Sequence, residues 1–166
     1  MTNQKGFTMV EGLIVVLIIG LVGTFAAVAV NSARAKQRDA VRLSNVRQVQ
    51  SALEDYFNER NAYPTGSALP LGDSAESACL GTGGFAASCS GDDTVFLRVV
   101  VGTVDNGLKG KSVCGTPERN AFCYASMEEG SSYGIQFELE NALTQVGLAK
   151  GANCATPDGM KAGICQ

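Results

Sequence analysis

The hydrophobic pattern of the first 60 residues predicts one long helix with two different surfaces. Residues 12–30 contain no charged side chain, and as a helix they would extend roughly 28 Å, close to the thickness of a bilayer's hydrocarbon core. From residue 31 onward, apolar positions recur every three or four residues, which is the spacing of a single buried stripe. No proline interrupts this pattern, so the predicted helix extends from about Phe7 to Glu59. The predicted stripe consists of Ala40, Leu43, Val46, Val49 or Gln50, Leu53 and Phe57.

The rest of the chain has the pattern of short strands and loops. A proline disfavours helical geometry at the residue before it, and Pro64 follows the helical pattern. Residues 64–94 are rich in Gly, Ser and Ala, which predicts a long loop. The tail, residues 151–165, is predicted to be loop with at most short extended pieces. Aromatic and β-branched residues predict strands at residues 94–101, 121–127 and 131–140.

The third predicted strand has the clearest alternation. Tyr133, Ile135, Phe137 and Leu139 alternate with Gly, Gln, Glu and Glu, which predicts one buried face and one face in water. Three to four antiparallel strands would be enough to cover the stripe of the helix. We therefore predict an α+β fold, in which the amphipathic second half of the long amino-terminal helix packs against a small antiparallel sheet.

Charge divides the chain into three parts. Residues 1–30 carry only Lys5 and Glu11, whereas residues 31–60 carry six basic and four acidic side chains. Residues 61–166 carry six basic and eleven acidic side chains. The pattern predicts an apolar anchor, a basic stem and an acidic globular head. With a net charge of −3 and no basic face, the chain is not predicted to bind nucleic acid.

All six cysteines lie in the predicted head, which indicates disulfides in an oxidising compartment. The head is therefore predicted to lie outside the cytoplasm and the amino terminus inside it. Six cysteines allow 15 pairings. Their spacing favours three local loops without proving them, and it lacks the tight C-x-x-C pairs of zinc sites. The candidates are Cys79 with Cys89, Cys114 with Cys123, and Cys154 with Cys165.

The composition argues against an enzyme. The chain has no histidine, so it lacks the commonest general base and the commonest transition-metal ligand. No nucleophile elbow, phosphate-binding loop, zinc motif or calcium-loop pattern occurs. No catalytic residue, metal ligand or cofactor is therefore predicted.

Glu11 is the exception in an otherwise apolar segment. A lone carboxylate in hydrocarbon costs at least about 2–3 kcal/mol on insertion scales. A plain membrane anchor would tolerate it only near the membrane surface. An export signal that is removed whole is an alternative, since small residues near Ala29 offer cleavage sites.

The segment Lys5–Gly20, KGFTMVEGLIVVLIIG, resembles the amino terminus of bacterial type IV prepilins and type II secretion pseudopilins. In that family a short basic leader ends in glycine, and glutamate is the fifth residue of the mature chain. Gly6, Phe7, Thr8 and Glu11 occupy these places here, so the leader would be residues 1–6. After the helix, Asn-Ala-Tyr-Pro-Thr is similar to the Tyr-Pro-Thr segment of major pseudopilins.

The resemblance implies a mechanism of processing and assembly. A prepilin peptidase would cut after Gly6 and methylate the new amine of Phe7. Subunits would then leave the inner membrane and pack their helices into a filament, with Glu11 pairing with the Phe7 amine of a neighbour. Other implied partners are an inner-membrane assembly platform with its ATPase, and minor pilins. In this setting the basic stem is expected to face lipid head groups or acidic groups of neighbouring subunits.

Two features leave the choice between a pilus and a pseudopilus open. Many type IV pilins have a proline where this chain has Val28, and major pseudopilins usually bind calcium and contain few cysteines. The alternatives are a pseudopilin of a secretion or DNA-uptake machine and a monomeric binding domain that uses the helix as a tether. Gly20 and Gly23 are predicted either to allow close helix contacts or to form a point where the helix stretches.

Overall fold

The computed structural model describes residues 6–91, 94–100, 113–114 and 119–166. The chain divides into two compact units, Met1–Gln37 and Arg38–Gln166, and each is described by itself. The last residue of the predicted strand 94–101 lies outside the described residues.

Helix α1, Met9–Arg60, contains 52 residues. Its bounds agree within two residues with those predicted from the hydrophobic pattern. None of the described residues up to Gln37 is buried, and the first buried residue of the helix is Asp39. In the second unit, α1 therefore presents one buried stripe, whereas its apolar first half has no cover within the described chain.

Antiparallel strands form the remainder of the second unit. The described strands are β1 Leu69–Pro70, β2 Cys79–Gly81, β3 Gly84–Ala86, β4 Val95–Leu97, β5 Val113–Cys114, β6 Arg119–Asn120, β7 Cys123–Met127, β8 Ser132–Leu139, β9 Gly151–Thr156 and β10 Gly159–Ala162. The largest sheet has five strands in the order β1-β7-β8-β9-β10, and two small sheets have the orders β3-β2-β4 and β5-β6. Turns of 3-10 helix occur at Glu128–Gly130 and Thr144–Val146.

The structure confirms the α+β architecture and two of the predicted strands, β7 and β8. It corrects three other predictions. The strand predicted at residues 94–101 is β4, which has three residues. The predicted loop 64–94 contains three short strands, and the predicted loop of the tail forms β9 and β10. The tail has few β-branched residues, so its own composition does not favour a strand. Its strands exist because β9 pairs with β8 from Ala155 opposite Ile135 to Gly151 opposite Leu139.

The core lies between the helix stripe and one face of the large sheet. Tyr133, Ile135, Phe137 and Leu139 are all fully buried, as the alternation predicted. The opposite face of β8 is not wholly wet, because Gly134 and Glu138 are buried too. A Cβ atom at Gly134 would lie 3.0 Å from Sγ of Cys165, so the end of the chain covers this part of the sheet.

The stripe of the helix differs from the prediction at its beginning. Ala40 is exposed and Leu43 is only partly buried, whereas Asp39 and Arg42 are each 1% exposed. The buried positions are Asp39, Arg42, Val46, Val49, Ala52, Leu53 and Tyr56. The predicted helical period is confirmed, but the first two buried positions of the stripe are polar residues, which the apolar pattern did not include.

The first turns of this stripe contain an ionic network, here called the Asp39 cluster: Arg38, Asp39, Arg42, Glu140 and Asn141. Asp39 accepts hydrogen bonds from Nη1 of Arg42 at 2.9 Å, the Glu140 N–H at 2.8 Å and the Asn141 N–H at 2.9 Å. Nδ2 of Asn141 donates a further bond at 2.8 Å. Glu140 accepts two bonds from Arg38, at 2.7 and 2.6 Å, and one from Arg42 at 2.8 Å. The cluster joins α1 to the end of β8.

Three disulfides close short loops in the second unit. They join Cys79 to Cys89, Cys114 to Cys123, and Cys154 to Cys165. This is the local pairing that the spacing favoured. The bond between the third pair holds the chain end against β9, next to Gly134 of β8.

Removing one partner of the Asp39 cluster should destabilise the head strongly. Arg42→Met leaves the carboxylate of Asp39 buried without its cation, which typically costs about 3–5 kcal/mol. The measurement is denaturant unfolding of the full chain in detergent. Arg47→Met is the matched control, because Arg47 is exposed on the same helix and its loss should change the free energy of unfolding by about 0.5 kcal/mol at most. Equal stability of the two variants would contradict the role of the cluster.

The cluster should also make the stability of the head depend on acid. Hydrogen bonds from Arg38 and then from Arg42 lower the pKa of Glu140 from 4.5 to about 2, against the opposing effect of burial. Because the pKa is lower in the folded chain, the stabilisation is complete above pH 4.5 and is lost as the pH falls toward 2. Thermal unfolding across this range should show the loss, and Glu140→Gln should flatten it.

Candidate assembly site at the amino-terminal end of the helix

Local hydrogen bonds define the start of α1. The hydroxyl of Thr8 accepts a bond from the Glu11 N–H at 3.3 Å, and the Thr8 N–H donates to Oε2 of Glu11 at 3.5 Å. The Thr8 hydroxyl also lies 3.5 Å from the same carboxylate oxygen. This reciprocal arrangement, T-x-x-E, is a capping box, in which two unpaired N–H groups of the first turn are satisfied.

The capping box was not predicted, although the segment Thr8-Met9-Val10-Glu11 contains its signal. The spacing of Thr8 and Glu11 is the sequence signature of a helix start. A carboxylate in the first turn also interacts favourably with the positive end of the helix dipole. Glu11 therefore has a role in its own chain, beside the intermolecular one implied by the resemblance.

The surface around Glu11 is apolar and exposed. Phe7 is 75% exposed, and it is joined by large apolar side chains on every side of the helix as far as Val30. Glu11 is the one charged side chain in residues 7–30, and it too is exposed. A single charged side chain on an exposed apolar helix is compatible with contact to lipid and with packing against other helices.

Among the described residues, one helix is long and apolar enough to cross a membrane, namely α1. Its most apolar 18-residue window has a mean hydropathy of 2.9 and is not buried in the rest of the chain. Length and composition therefore fit a membrane anchor.

Gly20 and Gly23 lie within continuous helix. A Cβ atom at either position would meet nothing within 4 Å, so the chain by itself gives no packing reason for glycine there. The helix does not break at these positions. Both expected roles, close helix contact and stretching, stay predictions.

The arginines of the basic stem do not all face outward. Arg34 and Lys36 are exposed, but Arg38 and Arg42 bind Glu140 of the same chain. The expectation that the stem faces lipid head groups or neighbouring subunits is therefore wrong for Arg42 and incomplete for Arg38. An acidic partner 98 residues further along the chain could not be assigned from the sequence of the helix.

Tyrosines tie the far end of α1 to the sheet. The hydroxyl of Tyr63 donates to the carboxylate of Glu54 at 3.0 Å, and the ring packs edge-on against Tyr133 with centroids 4.6 Å apart. Burial, with the help of the Glu54 carboxylate, raises the pKa of Tyr63 to about 12. Burial also raises the pKa of Tyr124 and Tyr133. These contacts are structural. They hold the sheet against the carboxy-terminal end of α1, whereas the Asp39 cluster holds it at the beginning of the buried stripe.

Within the described ranges, no group of three or more Cys, Asp or Glu side chains is arranged to hold a metal ion. All six cysteines are in disulfides. The amino-terminal segment presents one carboxylate, that of Glu11, on a large exposed apolar surface, an arrangement that suits association with lipid or with other helices.

Two comparisons with known proteins point to one class. Residues 1–27 match the family model described as the prokaryotic N-terminal methylation motif. Over 146 residues the chain is 25% identical to fimbrial protein EcpC of Eikenella corrodens, a match that covers 85% of this chain and 94% of that protein. No solved structure matches the chain significantly.

The motif and the relative support a type IV pilin family. The long amino-terminal helix, the antiparallel sheets and the three disulfides match an α+β pilin-like fold. In its amino-terminal motif and in its similarity to a fimbrial protein, the chain resembles a pilin-like structural subunit, and this likeness suggests filament assembly with other pilins. The motif and the apolar helix fit membrane anchoring followed by a surface filament.

Proposed function

We propose that this chain is a prepilin that is cleaved between Gly6 and Phe7 and then polymerises through α1 into a type IV pilus-like filament. The observation that carries the proposal is the single carboxylate of Glu11, the fifth residue after the predicted cut, on an exposed apolar helix. The similarity to a fimbrial protein favours a pilus over the pseudopilus of a secretion or DNA-uptake machine.

The cut creates the partner that Glu11 requires. Cleavage after Gly6 gives Phe7 a positively charged amine, which methylation leaves able to carry its charge. In a water-poor bundle of helices, this amine and the carboxylate of a neighbouring Glu11 attract each other far more strongly than in water. A charge left unpaired there is costly. The pair would therefore select one axial register among many that apolar contacts alone allow.

The proposed pathway has several partners. A membrane-embedded prepilin peptidase makes the cut, an inner-membrane platform with its ATPase extracts the subunit, and minor pilins assist at initiation. Before assembly the subunit spans the inner membrane once, with the amino terminus in the cytoplasm and the disulfide-bonded head outside.

The capping box gives a way to separate the two roles of Glu11. Glutamine can replace glutamate in a capping box, so Glu11→Gln should keep the helix start and lose the charge. Thr8→Val should do the opposite, at a cost to the helix start of about 1 kcal/mol. We expect Glu11→Gln to abolish filaments in sheared-cell preparations examined by electron microscopy, and Thr8→Val to reduce them much less.

If Thr8→Val reduced filaments more than Glu11→Gln did, the result would contradict charge pairing, because it would show that Glu11 acts through capping of the helix. Both variants must first be found in the membrane at the level of the unaltered chain. Filaments that form normally with Glu11→Gln would show that assembly does not depend on the Glu11 charge, whereas the absence of filaments from the unaltered chain would favour the tethered monomer.

The mass of the intact mature protein tests the processing step. Under non-reducing conditions it should lack residues 1–6, show an added methyl group on Phe7 and lack six hydrogens for the three disulfides. Retention of Met1–Gly6, or loss of the whole apolar segment as in an export signal, is incompatible with the proposal. Long surface fibres that contain the chain would separate a pilus from a pseudopilus.

A further inference from the structure

An open groove lies on the second unit beside the exposed side of α1. It has a volume of about 290 Å³ and is here called the Arg47 groove. Nε2 of Gln50 donates a 3.0 Å hydrogen bond to the carbonyl oxygen of Thr156, which fixes one wall against the end of β9. Val146, in the groove, is 51% exposed. Its lining consists of Arg47, Gln50, Val146, Leu148, Gly159 and Met160.

The groove carries one positive charge, whereas the head as a whole is acidic by composition. Arg47 is exposed and is the one charged residue of the lining, whereas residues 61–166 carry eleven acidic and six basic side chains. A basic groove on an acidic head is complementary to the head of a second copy. Such complementary patches steer association and suppress other registers.

An acidic turn lies at the opposite end of the same unit. Glu128 and Glu129 connect β7 to β8, and both are exposed. The turn is closed by a 3.1 Å bond from the Ser131 N–H to the Glu128 carbonyl oxygen. It is also anchored, because the Tyr63 N–H donates to the Gly130 carbonyl oxygen at 2.7 Å, just beyond the end of α1.

The two features are displaced along the helix axis. The groove lies beside Arg47 and Gln50, and the acidic turn is tied to Tyr63, past the helix end at Arg60. The thirteen helical steps from Arg47 to Arg60 correspond to roughly 20 Å. In copies that pack with parallel helices, an axial shift of about this size brings the turn of one copy level with the groove of another. This contact is head-to-tail and does not close, so it propagates as a fibre.

We propose that the Arg47 groove binds the Glu128–Glu129 turn of a second copy of this chain, forming a contact between heads in the filament. The inference rests on the proposed function, because it requires copies with parallel helices. It goes further by assigning a second charged contact, on the outside of the filament, that is independent of Glu11.

Charge exchange tests the contact in the full chain expressed in filament-forming cells. Arg47→Glu should lower the ratio of filament to membrane-bound processed subunit at least about tenfold, because it places like charges together. Glu128→Lys with Glu129→Lys should do the same, and the triple variant should recover most of the loss. Lys150→Glu is the matched control: it has the same change of charge on an exposed residue outside the lining, and it should assemble normally.

A second variant separates assembly from folding. Glu128 and Glu129 have φ values of +50° and +57°, and asparagine tolerates this region better than glutamate. Glu128→Asn with Glu129→Asn should therefore raise the unfolding temperature of the head slightly and still lower assembly. A merely structural role for this turn would raise the unfolding temperature and leave assembly unchanged.

Each outcome decides the proposal. Normal assembly of Arg47→Glu overturns it while leaving the role of Glu11 intact, and so does a triple variant no better than the worse parent. If Arg47→Glu fails but the asparagine variant assembles normally, the groove receives something other than this turn, and the proposal is wrong. The absence of filaments from the unaltered chain would instead contradict the proposed function.

Discussion

The burial of Asp39 is the constraint on which the head depends. A carboxylate that is 1% exposed is stable only when its hydrogen-bonding capacity is filled, and here Arg42, two backbone N–H groups and the amide of Asn141 fill it. These donors come from α1 and from the end of β8. The cluster thus fixes the axial position of the sheet on the helix, and the stripe Val46, Val49 and Leu53 follows at alternating spacings of three and four residues.

The two halves of α1 have different surroundings. From Arg38 onward, the carboxylates of Asp39 and Glu140, which hold the sheet, find partners within the same chain. Before that point, the apolar side chains of the described residues are exposed, and Glu11 makes the local bonds of its capping box. The described head has a hydrophobic core of its own, whereas the amino-terminal segment has the kind of apolar surface that packs against lipids or other helices.

The head is built from many short strands, and covalent bonds close its loops. Nine of the ten strands in the described residues have six residues or fewer, and two of the three sheets have only two or three strands. A disulfide restricts the unfolded chain and typically adds about 2–4 kcal/mol of stability. The bond between Cys154 and Cys165 has a second effect, since it places Sγ of Cys165 against β8, 3.0 Å from where a Cβ atom at Gly134 would lie.

The sequence by itself determined what depends on neighbours along the chain. The helix bounds, the alternation of β8 and the unusual charge of Glu11 follow from period or composition, which act over a few residues, and the spacing of the cysteines favoured their local pairing without proving it. The capping box of Thr8 and Glu11 was equally local and was simply overlooked. Tertiary structure alone decided the burial of Asp39 and Arg42 and the conversion of the tail into β9 and β10. Their partners, Glu140, Asn141 and β8, are distant in the chain, and no local pattern encodes which distant donor or strand will be available.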